Sequence, residues 1–196
     1  MQLALFDFDH TLTRCDTYGR FLRKVAPPAR RASARWTVGP WLLAYRAGLI
    51  SATSIRARVT RVALQGHDAG ELAALAREYA GTDLPDLLRP EMMARIDWHR
   101  SEGHRIVVVS GSLDLYLGPW CERHGLEVIC NRLEIRDGCV TGRYLDGDIG
   151  AYKVREITRR IALASHPCIH AYGDSREDRG MLALAHERWY AGKRIA

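Results

Sequence analysis

The chain has 196 residues, enough for one sizeable core or for a core that carries an inserted segment. Its apolar fraction of 47% excludes a disordered chain, and no run reaches the ~18 uncharged apolar residues of a membrane span. The net charge of +6 is unevenly spread, because between Thr17 and His67 there are ten Lys or Arg and no acid. Such a segment attracts anions. Its readings are a solvated basic helical face, a site for a small anionic substrate, or a contact with membrane or nucleic acid. Five scattered cysteines with no C-x-x-C pair fit reduced thiols rather than a disulfide framework or a zinc site. The eight histidines form no ligand motif, and His99, His104, His166 and His170 are assigned to no site. Asp7 and Asp9 interrupt the first apolar run, which argues against a secretory signal, so a cytoplasmic location is expected.

In chain order, residues 2–7 read as a short buried strand that ends on acids. From Asp16 to about Pro90 the periodicity is helical, clearest in "SIRARVTRVALQG" and "AGELAALAREYAG". Gly66 and Gly81 read as helix stops and Asp68 as a cap. The pattern then predicts a helix over 91–102, a strand over 105–110, a helix over 112–124 and a strand over 127–131. Asp137-Gly138 between two β-prone runs signals a hairpin. A helix over 150–164, a strand over 168–173 and a helix over 177–185 follow. Strands alternating with helices indicate a parallel α/β sheet. The helical stretch after the first strand falls where loops of such sheets carry function, so it reads as a cap. The expected organisation is an α/β core from 1–14 and 90–196, with an inserted all-helical cap at 15–89 and a small β-hairpin.

The strand ends carry the chemistry. In a parallel sheet the carboxyl ends lie on one edge, which would gather Asp7, Asp9, Ser110, Asp174 and Asp178. Several carboxylates at one place repel unless a cation neutralises them. An all-oxygen carboxylate set suits Mg2+. Lys153, at the start of a predicted helix, could reach the same edge and neutralise a carboxylate or a phosphate. Ser110 and the amides after it lead into a helix start, with Ser112 as its expected cap, and make an anion site.

The segments "FDFDHTLT", "VVVSGS", "AYK" and "YGDSRED" resemble the four ordered motifs of the haloacid dehalogenase superfamily of phosphohydrolases. With the helical insertion after the first motif, the chain is similar to the phosphoserine-phosphatase-like branch, subfamily IB. The resemblance spans nearly the whole chain and implies a Rossmann-like core under a helical cap. It implies Asp7 as the nucleophile that forms an aspartyl-phosphate, and Asp9 as the acid, then base. Thr11 completes the first motif. Ser110 and the Gly111 amide would bind phosphate, with Lys153 beside them. Asp174, the Asp7 carboxylate and the Asp9 main-chain carbonyl would hold Mg2+, and Asp178 would act from behind them. His10 replaces the small residue often found after the paired acids.

In the cap, Asp16 stands where phosphoserine phosphatases tend to carry a Glu that meets the substrate amine. "SIRARV" resembles their helix with a carboxylate-binding arginine, which would align with Arg58. The competing reading is that Asp16 caps a helix and Arg58 lies on the surface. The expected activity is Mg2+-dependent hydrolysis of a small phosphorylated metabolite, phosphoserine-like or other. Phosphoryl transfer on the same scaffold is an alternative. No nucleic-acid or membrane partner is expected, although the basic segment leaves this open, and it gives the other alternative, a basic-cap protein bound to anionic membrane or nucleic acid.

Overall fold

A computed structural model describes residues 1–195. The elements follow the chain as β1 (Leu3–Phe6), α1 (Thr17–Val25), α2 (Pro28–Thr37), α3 (Gly39–Arg46), α4 (Ala52–Leu64), α5 (Ala69–Thr82) and α6 (Pro90–Ser101). Then come β2 (Arg105–Leu113), α7 (Asp114–Arg123), β3 (Glu127–Asn131), β4 (Leu133–Arg136) and β5 (Cys139–Tyr144). The last are α8 (Lys153–Arg160), β6 (Ile169–Gly173), α9 (Arg179–Ala183), β7 (Glu187–Tyr190) and β8 (Lys193–Ile195). The main sheet has the order β3-β2-β1-β6-β7-β8, parallel except for β8, and β4-β5 form a separate hairpin.

Both faces of the sheet are covered, which is why its strands read as continuous apolar runs. Ala4, Phe6, Ile106 and Val108 face one side, where α6 and α7 contribute Ile96, Tyr116, Leu117 and Trp120. Leu3, Leu5, Val107 and Val109 face the other, against Ile157 of α8 and Met181 and Leu182 of α9. The chain therefore winds to β2 and β3 on one side of β1 and to β6 and β7 on the other. Such a reversal opens a crevice at the carboxyl ends beside β1, where ligands bind in folds of this kind.

Between β1 and α6 every regular element among the described residues is helical. These helices share the apolar cluster of the sheet: Phe21, Leu72 and Tyr79 pack with Phe6, Phe8, Tyr116 and Trp120. The Phe21, Tyr79 and Tyr116 rings lie 5.1–5.4 Å apart in tilted and edge-on contacts. The hairpin hydrogen-bonds to the α4–α5 loop through Val140 and Gly138. Its turn residues Asp137 and Gly138 both have positive φ, 49° and 75°, as a two-residue primed turn requires.

Several expectations shift. Asp68 caps α5 through the Glu71 amide and Gly66 ends α4 with φ +81°, but α5 runs through Gly81 to Thr82. β2 continues past Ser110 to Leu113, so Ser112 is a strand residue and caps no helix. β7 and β8 are absent from the sequence reading, because "ERWY" and "KRI" are short, charged strands at one end of the sheet with no clear alternation. Three of the unassigned histidines cluster between α6 and the sheet: the His99 and His104 Nδ1 atoms lie 2.8 Å apart, and the His170 ring centroid is 4.9 Å from that of His99. His99 Nε2 meets the Tyr172 hydroxyl at 2.9 Å. His166 instead bonds the Met1 carbonyl.

Candidate active site

The loops leaving β1, β2 and β6 and the first turn of α8 meet at the crevice. Lys153 is 3% exposed and is the only buried lysine or arginine among the described residues. Its Nζ lies 2.5 Å from Asp7 Oδ1 and 2.6 Å from Asp178 Oδ1. The other Asp178 oxygen accepts from the amides of Asp174 and Ser175 and from the Ser175 hydroxyl at 2.7 Å. Asp178 thereby holds both the lysine and the turn that carries Asp174. Asp174 keeps its carboxylate nearly unbonded, with one 3.5 Å hydrogen bond from Thr11. Oxygens of Asp7, Asp174 and Asp178 all lie within 4.8 Å of one another.

The electrostatics follow from burial. Burial, with the Asp178 charge, pushes Asp7 up to about 7 despite Lys153. Burial and Asp178 also raise Asp174. Burial acts to raise Asp178 too, but Lys153 and Ser175 hold it below the usual carboxylate range. Burial opposes the Lys153 charge, yet its two carboxylate partners keep its pKa above the ordinary value. Three acids thus share a single ammonium.

Asp9 turns its carboxylate the other way, toward the inserted helices. Oδ1 accepts from the Thr17 amide at 2.7 Å and from its hydroxyl, and Oδ2 accepts from the Ser112 hydroxyl. Tyr116 donates to Ser112 at 2.7 Å, and Tyr79 donates to the Thr17 carbonyl at 3.0 Å. Burial raises the Asp9 pKa and the two hydroxyls oppose it. A carboxyl held this way can carry a proton between the crevice and a group under the helices.

Ser110 is buried at the end of the apolar part of β2, and its Oγ accepts from the Ser112 amide. The Gly111 carbonyl accepts from Asn131 Nδ2 at 2.7 Å, while Asn131 Oδ1 accepts from the Ile149 amide at 2.6 Å. Asn131 therefore ties the Ser110-Gly111 turn to the loop that leads into Lys153. Over that loop lies Arg56 of α4. Its Nη1 is 2.6 Å from both Asp148 oxygens, and its Nη2 is 2.8 and 2.9 Å from those of Glu177. A side chain at Gly111 or Gly150 would run into its guanidinium.

Asp7, Lys153, Asp174, Asp178 and Thr11 thus converge, with Ser110 and Gly111 at the end of the neighbouring strand β2 and Asp9 at the side that faces the helices. The two expected cap residues do not join them. Arg58 donates to the Thr37 carbonyl and stacks over Trp41, because two positions along a helix turn a side chain to another face. Arg56 is the arginine of α4 that reaches the core. Asp16 is exposed and caps α1 through the Gly19 amide. Sequence reasoning missed Thr17, Arg56, Asn131 and Asp148, and gave Ser112 a helix cap in place of its bond to Asp9. Ser112 had a signal, since two residues along a strand return to the same face as Ser110. Asp148 had one also, an acid just before a helical turn.

A parallel sheet of this order, with acids and a buried lysine at its switch point under inserted helices, defines an α/β protein with a polar binding crevice at its strand carboxyl ends. The pattern of the haloacid dehalogenase-like hydrolases matches residues 4–183, and the chain belongs to that family. It is 32% identical over 198 residues to Protein CicA of Caulobacter vibrioides, covering 96% of this chain and 85% of that protein. A Bordetella pertussis Tohama I protein of unknown function superposes with a TM-score of 0.82 at 24% identity, over 95% of this chain and 88% of that one. Phosphoserine phosphatase from T. onnurineus, solved with NDSB-201, gives a TM-score of 0.64 at 23% identity, over 99% of this chain and 85% of that one. The fold is therefore that of the phosphoserine-phosphatase-like structures.

Proposed function

We propose that the chain is a magnesium-dependent phosphomonoesterase that works through an aspartyl-phosphate on Asp7. The observation that carries this reading is the shared lysine: Lys153 bridges Asp7 and Asp178 while Asp174 stays nearly unbonded beside them. Asp7 Oδ1 is committed to Lys153, and Oδ2 has no hydrogen bond among the described residues. Oδ2 is the atom to attack phosphorus. As that O–P bond forms, the ester P–O bond breaks, and the leaving oxygen takes a proton from Asp9. Asp9 then removes a proton from water, whose oxygen attacks phosphorus and releases phosphate and the free Asp7 carboxylate.

An acid-rich, all-oxygen cluster with one ammonium fits a hard dication. Asp7 and Asp174, with the Asp9 main-chain carbonyl, would hold Mg2+. When bound, Mg2+ would neutralise the phosphoryl oxygens and the excess acid charge. Lys153 supplies the fixed positive charge, and Ser110 and Gly111 the polar floor for the phosphoryl oxygens. The partner is a small phosphorylated molecule whose leaving group sits on the Asp9 side, under α1 and α4.

The test is phosphate release from p-nitrophenyl phosphate and a panel of phosphorylated metabolites, with and without Mg2+. Release that requires Mg2+ and disappears in Asp7→Asn is expected. Release that survives Asp7→Asn, or none from any substrate with Mg2+ present, overturns the reading.

A further inference from the structure

Among the described α-helices, α2 and α3 stand apart in having no buried residue. The segment nevertheless carries large apolar side chains. Trp36 is 74% exposed, Leu43 67% and Leu49, just past α3, 78%. Trp41, Leu42 and Tyr45 are also exposed. An apolar surface of this kind on one short segment marks a contact site. Arg30, Arg31, Arg35 and Arg46 lie on the same helices or at their ends. Of the ten basic residues from Thr17 to His67, only Lys24 and Arg56 pair with a carboxylate among the described residues. Arg35 rests over its neighbour Trp36 instead.

We propose that α2–α3 is a docking surface for an anionic lipid bilayer. Three features select this occupant. The helices have 10 and 8 residues, far too short to cross the hydrocarbon core but suited to lie in its interface. Trp and Tyr prefer the headgroup level while Leu enters below it. The unneutralised arginines complement the negative charge of anionic lipid. A nucleic acid would use the arginines and stack on the aromatic rings but would leave Leu42, Leu43 and Leu49 with no partner.

The position of the segment gives the docking a consequence. Leu49 stands just before α4, and Arg56, in the second turn of that helix, overlies the Gly111 and Gly150 backbone of the candidate site. Docking brings that site close to the bilayer surface. Resting on the phosphatase reading, this names the substrate class: a phosphomonoester borne on a lipid headgroup. Its hydrolysis leaves the lipid alcohol in the membrane and frees inorganic phosphate.

The experiment uses the full chain and large vesicles of phosphatidylcholine alone, or mixed with phosphatidylglycerol and phosphatidic acid. Cosedimentation only with the anionic vesicles, weakened by salt and reduced at least about tenfold in Leu43→Glu/Leu49→Glu, is expected. Arg35→Glu/Arg46→Glu should reduce it similarly. With Mg2+ present, phosphate is released from the phosphatidic acid vesicles, and Leu43→Glu/Leu49→Glu slows that release while leaving hydrolysis of soluble p-nitrophenyl phosphate unchanged. No sedimentation, or sedimentation that both double variants retain, overturns the docking surface. So does binding to an oligonucleotide with the vesicles left free, or a dimer in solution that Leu43→Glu/Leu49→Glu dissociates. Hydrolysis of the soluble ester with no release from docked vesicles overturns the lipid substrate alone. Docking without hydrolysis of either substrate removes the phosphatase reading and the lipid substrate with it, and leaves the surface standing.

Discussion

Arg56 Nη1 lies 2.6 Å from both oxygens of Asp148, a residue ninety-two positions further along the chain and 3% exposed. The pair joins α4 to the loop that precedes Lys153, so one guanidinium ties the inserted helices directly to the candidate site. Removing one partner of a buried pair leaves the other charge uncompensated, which costs about 3–5 kcal/mol. Asp148 keeps hydrogen bonds from the Gly150 amide and Asn131, which reduces the loss toward the lower figure. Arg56→Ala should therefore destabilise the chain by about 3 kcal/mol in urea unfolding. Arg56→Lys should recover little, since an ammonium cannot reproduce the fork that spans Asp148 and Glu177. Adding Asp148→Asn to Arg56→Ala should restore part of the loss, and a strictly additive double variant would contradict the coupling.

Lys153 has no substitute at its position. Without it, Asp7 and Asp178 face each other in a buried space with no opposite charge. Lys153→Met should lower stability by about 3–5 kcal/mol and turnover by about 10²–10³-fold. Chemical denaturation and phosphate release measure the two effects separately. A variant that retains its stability but loses turnover would mean that the two carboxylates relax apart or share a proton when the ammonium is gone.

The core of the site was legible because the amino acids that build it sit at strand ends. Asp7, Ser110 and Asp174 each close a buried, mostly apolar run, LALF, IVVV and IHAYG, and a parallel sheet brings such ends to one edge whatever lies between them. Lys153 was legible near the start of the helix read over 150–164, which the structure begins at Lys153 itself. What stayed hidden depends on side-chain direction rather than on position. Asp9 faces Thr17 and Ser112, away from Lys153, and no spacing rule states which way a carboxylate beyond a strand will turn. Arg56 and Arg58 have the same chemistry two residues apart, and the choice between them rests on the rotation of α4 against β5 and the loop at Gly150. The polar edge pair β7 and β8 lacks the apolar alternation that betrays a half-buried strand.

The His99 cluster predicts an acid-sensitive fold. Burial, with His170, His104 and Arg95 close by, pushes His99 down to about 3. Its folded pKa lies below the ordinary value of 6.5, so the unfolded chain binds more protons as pH falls. Stability from this group is complete above pH ~6.5 and is lost progressively as pH drops toward ~3. Between pH 7 and pH 5 the loss should be on the order of 1–2 kcal/mol. His99→Phe, which keeps the aromatic contacts with Phe6 and Trp98 but cannot be protonated, should flatten that slope. Urea midpoints at the two pH values measure it, and equal slopes in both proteins would place the acid sensitivity elsewhere.

Two glycines of the hairpin separate backbone strain from steric fit. Gly138 has φ +75° and nothing within 4 Å of an added Cβ, whereas Gly142 has φ +76° and its Cβ would lie 2.8 Å from the Arg61 Cα of α4. Both positions impose the left-handed conformation on alanine, which costs about 1 kcal/mol. Only Gly142→Ala also forces the hairpin away from α4, and the opposing atom is backbone, which cannot rotate aside. Gly138→Ala should therefore lower stability by about 1 kcal/mol, and Gly142→Ala by at least about 2 kcal/mol more. Thermal unfolding of the two variants side by side gives the difference directly. Equal losses would mean that the hairpin shifts freely on α4 and does not brace the helix that carries Arg56.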